Sequence, residues 1–229
     1  MKNILMDKPE TSLNGRIKFS TEFVNNSEIK DKRILDIGCG FGWFELNALK
    51  RGVREIAGIE ITEEDLATAK NIKNKRVIFK VGDAFKIPFK NNYFDTVVAW
   101  EVIEHIPKDT EEIMFKEVRR VLKKNGNFYL STPYDSFWSK NFDPAWWILG
   151  HRHYSKETLI KLGENNKMHV LRIEVKGKVW NLLNIINMYI SKWIFLRRPL
   201  LETFFNNKEI IEFRYDGFMD IFIKYKKTI

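Results

Sequence analysis

From residue 33 to residue 132, short apolar runs alternate with amphipathic ones. RILDIG is a β-branched run and predicts a strand; a glycine cluster and a helix-like FELNALKRG follow it. REIAGIEIT predicts a second strand, and EEDLATAKNIKN a helix with Thr62 as N-cap and acidic residues after it. RVIFKVGD and YFDTVVAWE predict the third and fourth strands. TEEIMFKEVRRVLKKNG predicts an amphipathic helix, with Met114, Val118, Val121 and Leu122 on one stripe and Gly126 near its end. NFYLSTP is the fifth strand. Strands separated by helices pair in parallel through right-handed crossovers, which puts helices on both faces of an α/β sheet.

Past Pro133 the pattern changes. YDSFWSKNFDPAWWILGHRHYS is irregular and aromatic-rich, and it falls beyond the carboxyl end of the fifth strand, the edge where open α/β sheets hold ligands. A helix is expected from Ser155, then strand-like MHVLRIEVKG, and EFRYDGFMDIFIKYK as the last strand. Between those two strands lies an apolar segment, roughly residues 178–212. Over 178–196, Lys178, Asn181, Asn184, Asn187, Ser191 and Lys192 share one half of a helical wheel. Val179, Leu182, Leu183, Ile186, Tyr189, Ile190 and Trp193 share the other, with Arg197, Arg198 and Pro199 at its end. Polar residues at every turn argue against a bilayer span. A helix folded over the sheet or the active site, a homodimer interface, and a peripheral membrane helix with basic flanks (178–198) all stand as readings.

In DIGCGFGWFE, Asp36, Gly38, Gly40 and Gly42 lie where the first strand passes into the first helix. Glycines there allow a tight turn and close approach of a ligand. The spacing is not G-x-G-x-x-G, and no Lys-Ser/Thr pair follows, which excludes a P-loop. Glu60 ends the second strand, twenty residues past Gly40, where a carboxylate can accept from both ribose hydroxyls. Asp83 in VGDAF closes the third strand and can accept from an adenine amino group. Singly each acid reads as a surface group or a cap; at the ends of three consecutive strands they form a pattern.

With these residues the chain resembles the class I S-adenosylmethionine-dependent methyltransferases, and is similar to their ubiquinone-biosynthesis O-methyltransferase-like (methyltransferase type 11) group. ILDIGCGFG corresponds to the first motif, GIE to the second, and GDAFKIPFKNNYFDTVV to the third, over about residues 30–135. The resemblance implies a Rossmann-like, doubly wound, mostly parallel seven-stranded sheet with a helical insertion between the last two strands. It implies one domain over 1–229: a cofactor-binding core at about 30–135, an acceptor-side lid at about 134–154, and the insertion at 178–212. It also implies that Asp36, Gly38, Cys39 and Gly40 hold the methionine moiety, Glu60 and Ile61 the ribose, and Asp83 with Ala84 the adenine. The product would be S-adenosylhomocysteine.

The acceptor is less legible. The fourth strand runs into AWEVIEHI, where Glu101 can pack beside the cofactor while Glu104 and His105 cap the next turn. Alternatively His105 or Glu101 takes a hydroxyl proton as general base, or Glu101, Glu104 and His105 bind a divalent metal. STPY follows the fifth strand rather than the fourth, so Pro133 and Tyr134 read as pocket wall rather than as an amine clamp. In GHRHYS, His151 and His153 fall on one side of an extended segment; His153 is the candidate for a ligand or base role. Trp138, Trp146 and Trp147 line or cover the acceptor pocket, or pack a lid onto the core.

Composition narrows this further. The 229 residues carry 39 Lys+Arg against 30 Asp+Glu, a net +9, with the lysines scattered rather than blocked. No focused basic stripe is evident, which makes nucleic acid an unlikely partner and an RNA methyltransferase the rival enzyme reading. A catalytically silent cofactor-binding assembly partner is the non-enzyme rival. Cys39 is the sole cysteine, which removes intramolecular disulfides and thiolate zinc clusters and fits a reducing compartment. The opening MKNILMDKPE lacks a secretory pattern. A cytoplasmic enzyme, peripheral at a membrane in one reading, that O-methylates a small-molecule, lipid or lipid-linked glycan hydroxyl is the expectation.

Overall fold

The computed structural model describes residues 15–144, 146, 150–196 and 199–228. The expectations for the amino-terminal stretch and for Trp147, Arg197 and Arg198 lie outside the described residues. Helix α1 (Gly15–Phe23) precedes β1 (Arg33–Ile37), α2 (Trp43–Lys50), β2 (Glu55–Glu60), β3 (Val77–Val81) and β4 (Phe94–Trp100). Then come α3 (Glu111–Val121), β5 (Leu122–Pro133), α4 (Phe137–Phe142), α5 (Lys156–Asn165), β6 (Met168–Lys176), α6 (Val179–Trp193), α7 (Glu202–Glu212) and β7 (Asp220–Lys227).

The strands form one seven-stranded sheet in the order β3-β2-β1-β4-β5-β7-β6. Pairs from β3 to β5 are parallel, whereas β7 runs antiparallel to both β5 and β6. Because β1 has β2 on one side and β4 on the other, the chain reverses its winding there. That leaves a crevice past the carboxyl ends of β1 and β4.

Alternate residues feed two cores. Ile34, Ile56, Val98, Tyr129 and Phe222 pack with Phe23 in α1's last turn and with Phe44 and Ala48 of α2. Their neighbours Leu35, Ala57, Val97, Phe128 and Ile223 pack with Met114, Phe115 and Val118 of α3 and Leu159 of α5. Burial on both faces is why these strands read as near-continuous apolar runs. Each fully buried Leu, Ile or Phe contributes about 1.5–3 kcal/mol relative to exposure.

Three local expectations are corrected. The helix expected over EEDLATAKNIKN is a series of turns with one 3-10 turn, Ala69–Asn71. Thr62 does accept from the Asp65 amide (3.1 Å), as a cap would. However, only Leu66 and Ala69 bury apolar surface there, too little to hold a short helix. Helix α3 stops at Val121, not near Gly126; Leu122 already pairs with Phe94 in the sheet. Gly126 sits within β5, where a Cβ would come within 3.0 Å of the Asp95 and Lys123 carbonyl oxygens, so close packing explains it. The last strand begins at Asp220 rather than Glu212, which ends α7.

In the insertion, the sequence leaves open which half of the helix turns inward. The insertion is helical, and α6 turns its polar half inward. Asn181 and Ser191 are its buried residues, while Val179, Leu183, Ile190 and Trp193 are exposed. Two carboxylates of α7 cause this. Glu212 accepts from the Lys178, Trp180 and Asn181 amides (2.5, 2.9 and 3.0 Å), satisfying the free N–H groups of α6's first turn. Glu209 accepts from Asn181 and Asn184 (2.8 and 3.1 Å), and Asn187 donates to the Leu200 carbonyl (2.6 Å). Burying those acids without donors would cost more than exposing aliphatic groups.

Candidate active site

The loop after β1 carries Gly38, Gly40 and Gly42 at φ +72°, +53° and +85°, a conformation that disfavours side chains. A Cβ added at Gly40 would meet no atom within 4 Å, so the loop faces open space there. The Gly40 amide donates to Glu60 Oε1 (2.7 Å), bringing the end of β2 against the loop. Ile61, beside Glu60, is 71% exposed and presents an aliphatic surface to whatever Glu60 binds. Asp83 Oδ1 accepts from the Phe85 and Lys86 amides (both 2.7 Å) and shapes the turn that seats Ala84, which is buried.

Under the loop lies an acidic group that sequence reasoning missed in part. Asp36 and Glu45 are buried, and neither Asp36 Oδ1 nor either oxygen of Glu45 has a partner among the described residues. Burial, followed by the charge of Glu45, pushes the Asp36 carboxyl well above its usual range. Burial raises Glu45 to about 8 and Glu60 above its usual value. The same burial keeps the Cys39 thiol protonated, so it is a packing residue of the loop. Glu45 sits in the first turn of α2, where an acid ordinarily answers the helix dipole; nothing in the local sequence marks it as buried.

A second constellation occupies the ends of β4, β5 and β7. Glu101, in the left-handed region at φ +56°, receives Arg16 Nη1 (2.8 Å) on Oε2 and the Ser131 hydroxyl (2.6 Å) on Oε1. Arg16 also lies 3.5 Å from Asp220, which is buried at the start of β7. Glu104 is buried and accepts from Thr132 (3.1 Å); burial, then Glu101, raises its carboxyl well above the usual range. The rings of His105 and His151 meet edge to face at 4.2 Å. Burial lowers His105 below its usual value, and burial with His105 beside it lowers His151 to about 4.

His153 turns elsewhere. Its Nε2 lies 3.2 Å from Asp143, and Trp146 stacks on its ring at 4.9 Å. The segment is clipped to the core by Arg152, which donates to the Ile103 and Ile106 carbonyls (2.7 and 2.6 Å), and by Tyr154, which donates to Ile103 (3.0 Å). Trp138 does not join the histidines. It is half exposed, stacked with Phe142 and near Phe218. Glu101, Glu104 and His105 point to Arg16, Thr132 and His151 respectively, and no described trio of His, Cys, Asp or Glu is placed to share a metal ion. Arg16 was beyond sequence reasoning, since 85 positions separate it from Glu101.

A glycine loop at the switch point of a 3-2-1-4-5-7-6 sheet, with acids ending β1 and β2 and closing the turn after β3, defines a class. Residues 35–130, somewhat under half of the chain, match the family described as Methyltransferase domain, and with the fold and the relatives below this supports a class I S-adenosylmethionine-dependent methyltransferase. It is 36% identical over 104 residues to ajmaline N-methyltransferase of Rauvolfia serpentina, covering 43% of this chain and 35% of that one. To the ubiquinone biosynthesis O-methyltransferase of Pelagibacter ubique it is 24% identical over 190 residues, 74% of this chain and 78% of the other. The fold matches that of geranyl diphosphate C-methyltransferase from Streptomyces coelicolor at a TM-score of 0.67 and 15% identity, over 93% of this chain and 78% of that one. The stretch shared with the ajmaline enzyme is thus about a third of its length, and these relatives methylate nitrogen, oxygen and carbon respectively.

Proposed function

We propose that the chain methylates a hydroxyl group of a small molecule, a lipid or a lipid-linked glycan, with S-adenosylmethionine as donor. The observation that carries the reading is the His105–His151 pair past β4: the rings meet edge to face, His105 is open to solvent to receive an acceptor, and His151 Nε2 is buried with no partner among the described residues.

The residues fit the cofactor. Open space at Gly40, the unpartnered Asp36 oxygen and the exposed Ile61 form a cradle, and its buried carboxyls suit a cationic ligand. Asp36, Gly38, Cys39 and Gly40 would hold the methionine moiety, Glu60 and Ile61 the ribose, and Asp83 with Ala84 the adenine. When bound, the sulfonium supplies an already activated methyl group, so orientation of the acceptor dominates the task left to the protein. His105 takes the acceptor's hydroxyl proton on a ring nitrogen, which leaves the oxygen lone pair free for the new bond to carbon. Glu101, held by Arg16 and Ser131, positions the end of β4 and stabilises the imidazolium that forms. His153, held by Asp143 and Trp146, anchors the described residues of the acceptor-side lid at 134–154 within a single catalytic unit.

A product-detected screen of hydroxylated lipids, glycans and phenols with labelled donor tests the reading. Turnover of an alcohol or phenol, lost in His105→Ala, is expected. Turnover only of amines, or of carbon acceptors with His105→Ala fully active, contradicts it.

A further inference from the structure

Among the described residues nothing covers the exposed face of α6. Val179, Leu183, Ile190, Trp193 and Ile194 are 55, 40, 41, 46 and 68% exposed, recurring every three, four or seven positions, so they form one stripe. Phe195, Leu196, Leu200 and Leu201 continue it past the helix, also exposed. The polar half of the helix is already satisfied by Glu209 and Glu212, so the stripe cannot turn inward without breaking those bonds. Contiguous apolar surface of this kind marks an interaction site.

Charge selects the occupant. Between Glu174 and Glu202 the sequence has no acidic residue; Lys176 is buried and paired with Glu174 and Asp216, which leaves Lys178, Lys192, Arg197 and Arg198 as the cations of the segment. Lys208 lies over the Trp180 and Phe204 rings at 5.4 and 5.6 Å, adding a cation beside exposed aromatic surface. A second copy would bring this patch against itself in a two-fold contact that sets cation against cation, with Glu202 at the patch's edge the acid beside it. An anionic bilayer offers both missing complements: acyl chains for the stripe and phosphate headgroups for the lysines. Fifteen residues make α6 about 22 Å long, short of the ~30 Å hydrocarbon core, and no described helix is long and apolar enough to cross a membrane.

We propose that α6 and the residues after it form an interfacial platform that seats the protein on anionic lipid, with the helix lying in the membrane plane. The inner side of α6 connects to the site through α7 and α1: Asn181 and Asn184 donate to Glu209, Gly15 packs on Glu209, and its neighbour Arg16 pairs with Glu101. The platform therefore flanks the acceptor side of the crevice and favours an acceptor that resides in the membrane. The docking stands independently of the methyl-transfer reading, whereas the preference for a membrane-resident acceptor rests on it.

Flotation of the full chain with phosphatidylcholine vesicles, with and without phosphatidylglycerol, tests the proposal. Compared with it are Ile190→Glu/Trp193→Glu and Ile113→Glu, the latter an equally exposed site on α3. Expected is flotation with the phosphatidylglycerol vesicles, partly retained in high salt, and a blue shift of tryptophan emission. The double variant should partition at least about tenfold more weakly, with Ile113→Glu unaffected. Melting curves and the heat of S-adenosylmethionine binding, unchanged in the double variant, separate loss of docking from loss of fold or cofactor site. Three results overturn the proposal: no flotation at low salt, equal flotation of wild type and double variant, or a dimer that the double variant dissolves in place of lipid binding.

Discussion

Glu60 and His105 carry the functional account, and each yields a quantity to measure. Removing the Glu60 carboxylate deletes charged hydrogen bonds to a diol, so Glu60→Ala should weaken S-adenosylmethionine binding about 10- to 100-fold by calorimetry. A general base contributes about 10²–10⁴ in rate, so His105→Ala should lower kcat by that range with KM for the donor little changed. Because burial lowers His105, the rising limb of the pH–rate profile should lie below 6.5 and be flat above it. Glu45 predicts the opposite slope in stability. Its folded value of about 8 exceeds the unfolded 4.5, so its contribution is complete below 4.5 and is lost as pH rises through 8. Thermal melting from pH 5 to 8 should fall in the wild type and be flatter in Glu45→Gln. Asp36, Glu60 and Asp83 were legible in the sequence because strand ends announce them. Glu45 and Arg16 were not, because helix position and an 85-residue separation hide where their side chains finish.

Elements were legible where periodicity and burial agree. The five core strands and α3 follow directly, since two-sided burial leaves continuous apolar runs and one-sided burial leaves a stripe. Periodicity groups the residues of α6 onto two faces but does not say which face turns inward. The answer came from two acids on α7, twenty or more positions later. Glu212→Ala would strand three amides at the start of α6, which predicts a loss of about 1–3 kcal/mol in urea denaturation. Glu212→Gln, which keeps an acceptor, should recover part of it. The expected helix after Thr62 failed for a related reason: its cap forms, but its residues find too little apolar surface to cover.

At the scale of the whole molecule, the parallel pairing of the first five strands follows from the sequence, whereas their order and the antiparallel β7 between β5 and β6 do not. The insertion lets β7 return beside β5, and it brings α7 against α1, whose Gly15 packs directly on Glu209. Through that contact the chain's start, its insertion and the end of β4 meet at Arg16, which ties Glu101 to Asp220. The cofactor side is thus built by local motif, and the acceptor side by distant segments. This is why the donor was legible in the sequence and the acceptor was not. The most direct test is calorimetric titration of S-adenosylmethionine into wild type, Glu60→Ala and Asp83→Ala, each checked for native melting. Saturable micromolar binding that both substitutions weaken is the predicted result; a folded wild type that binds no S-adenosylmethionine would contradict the account.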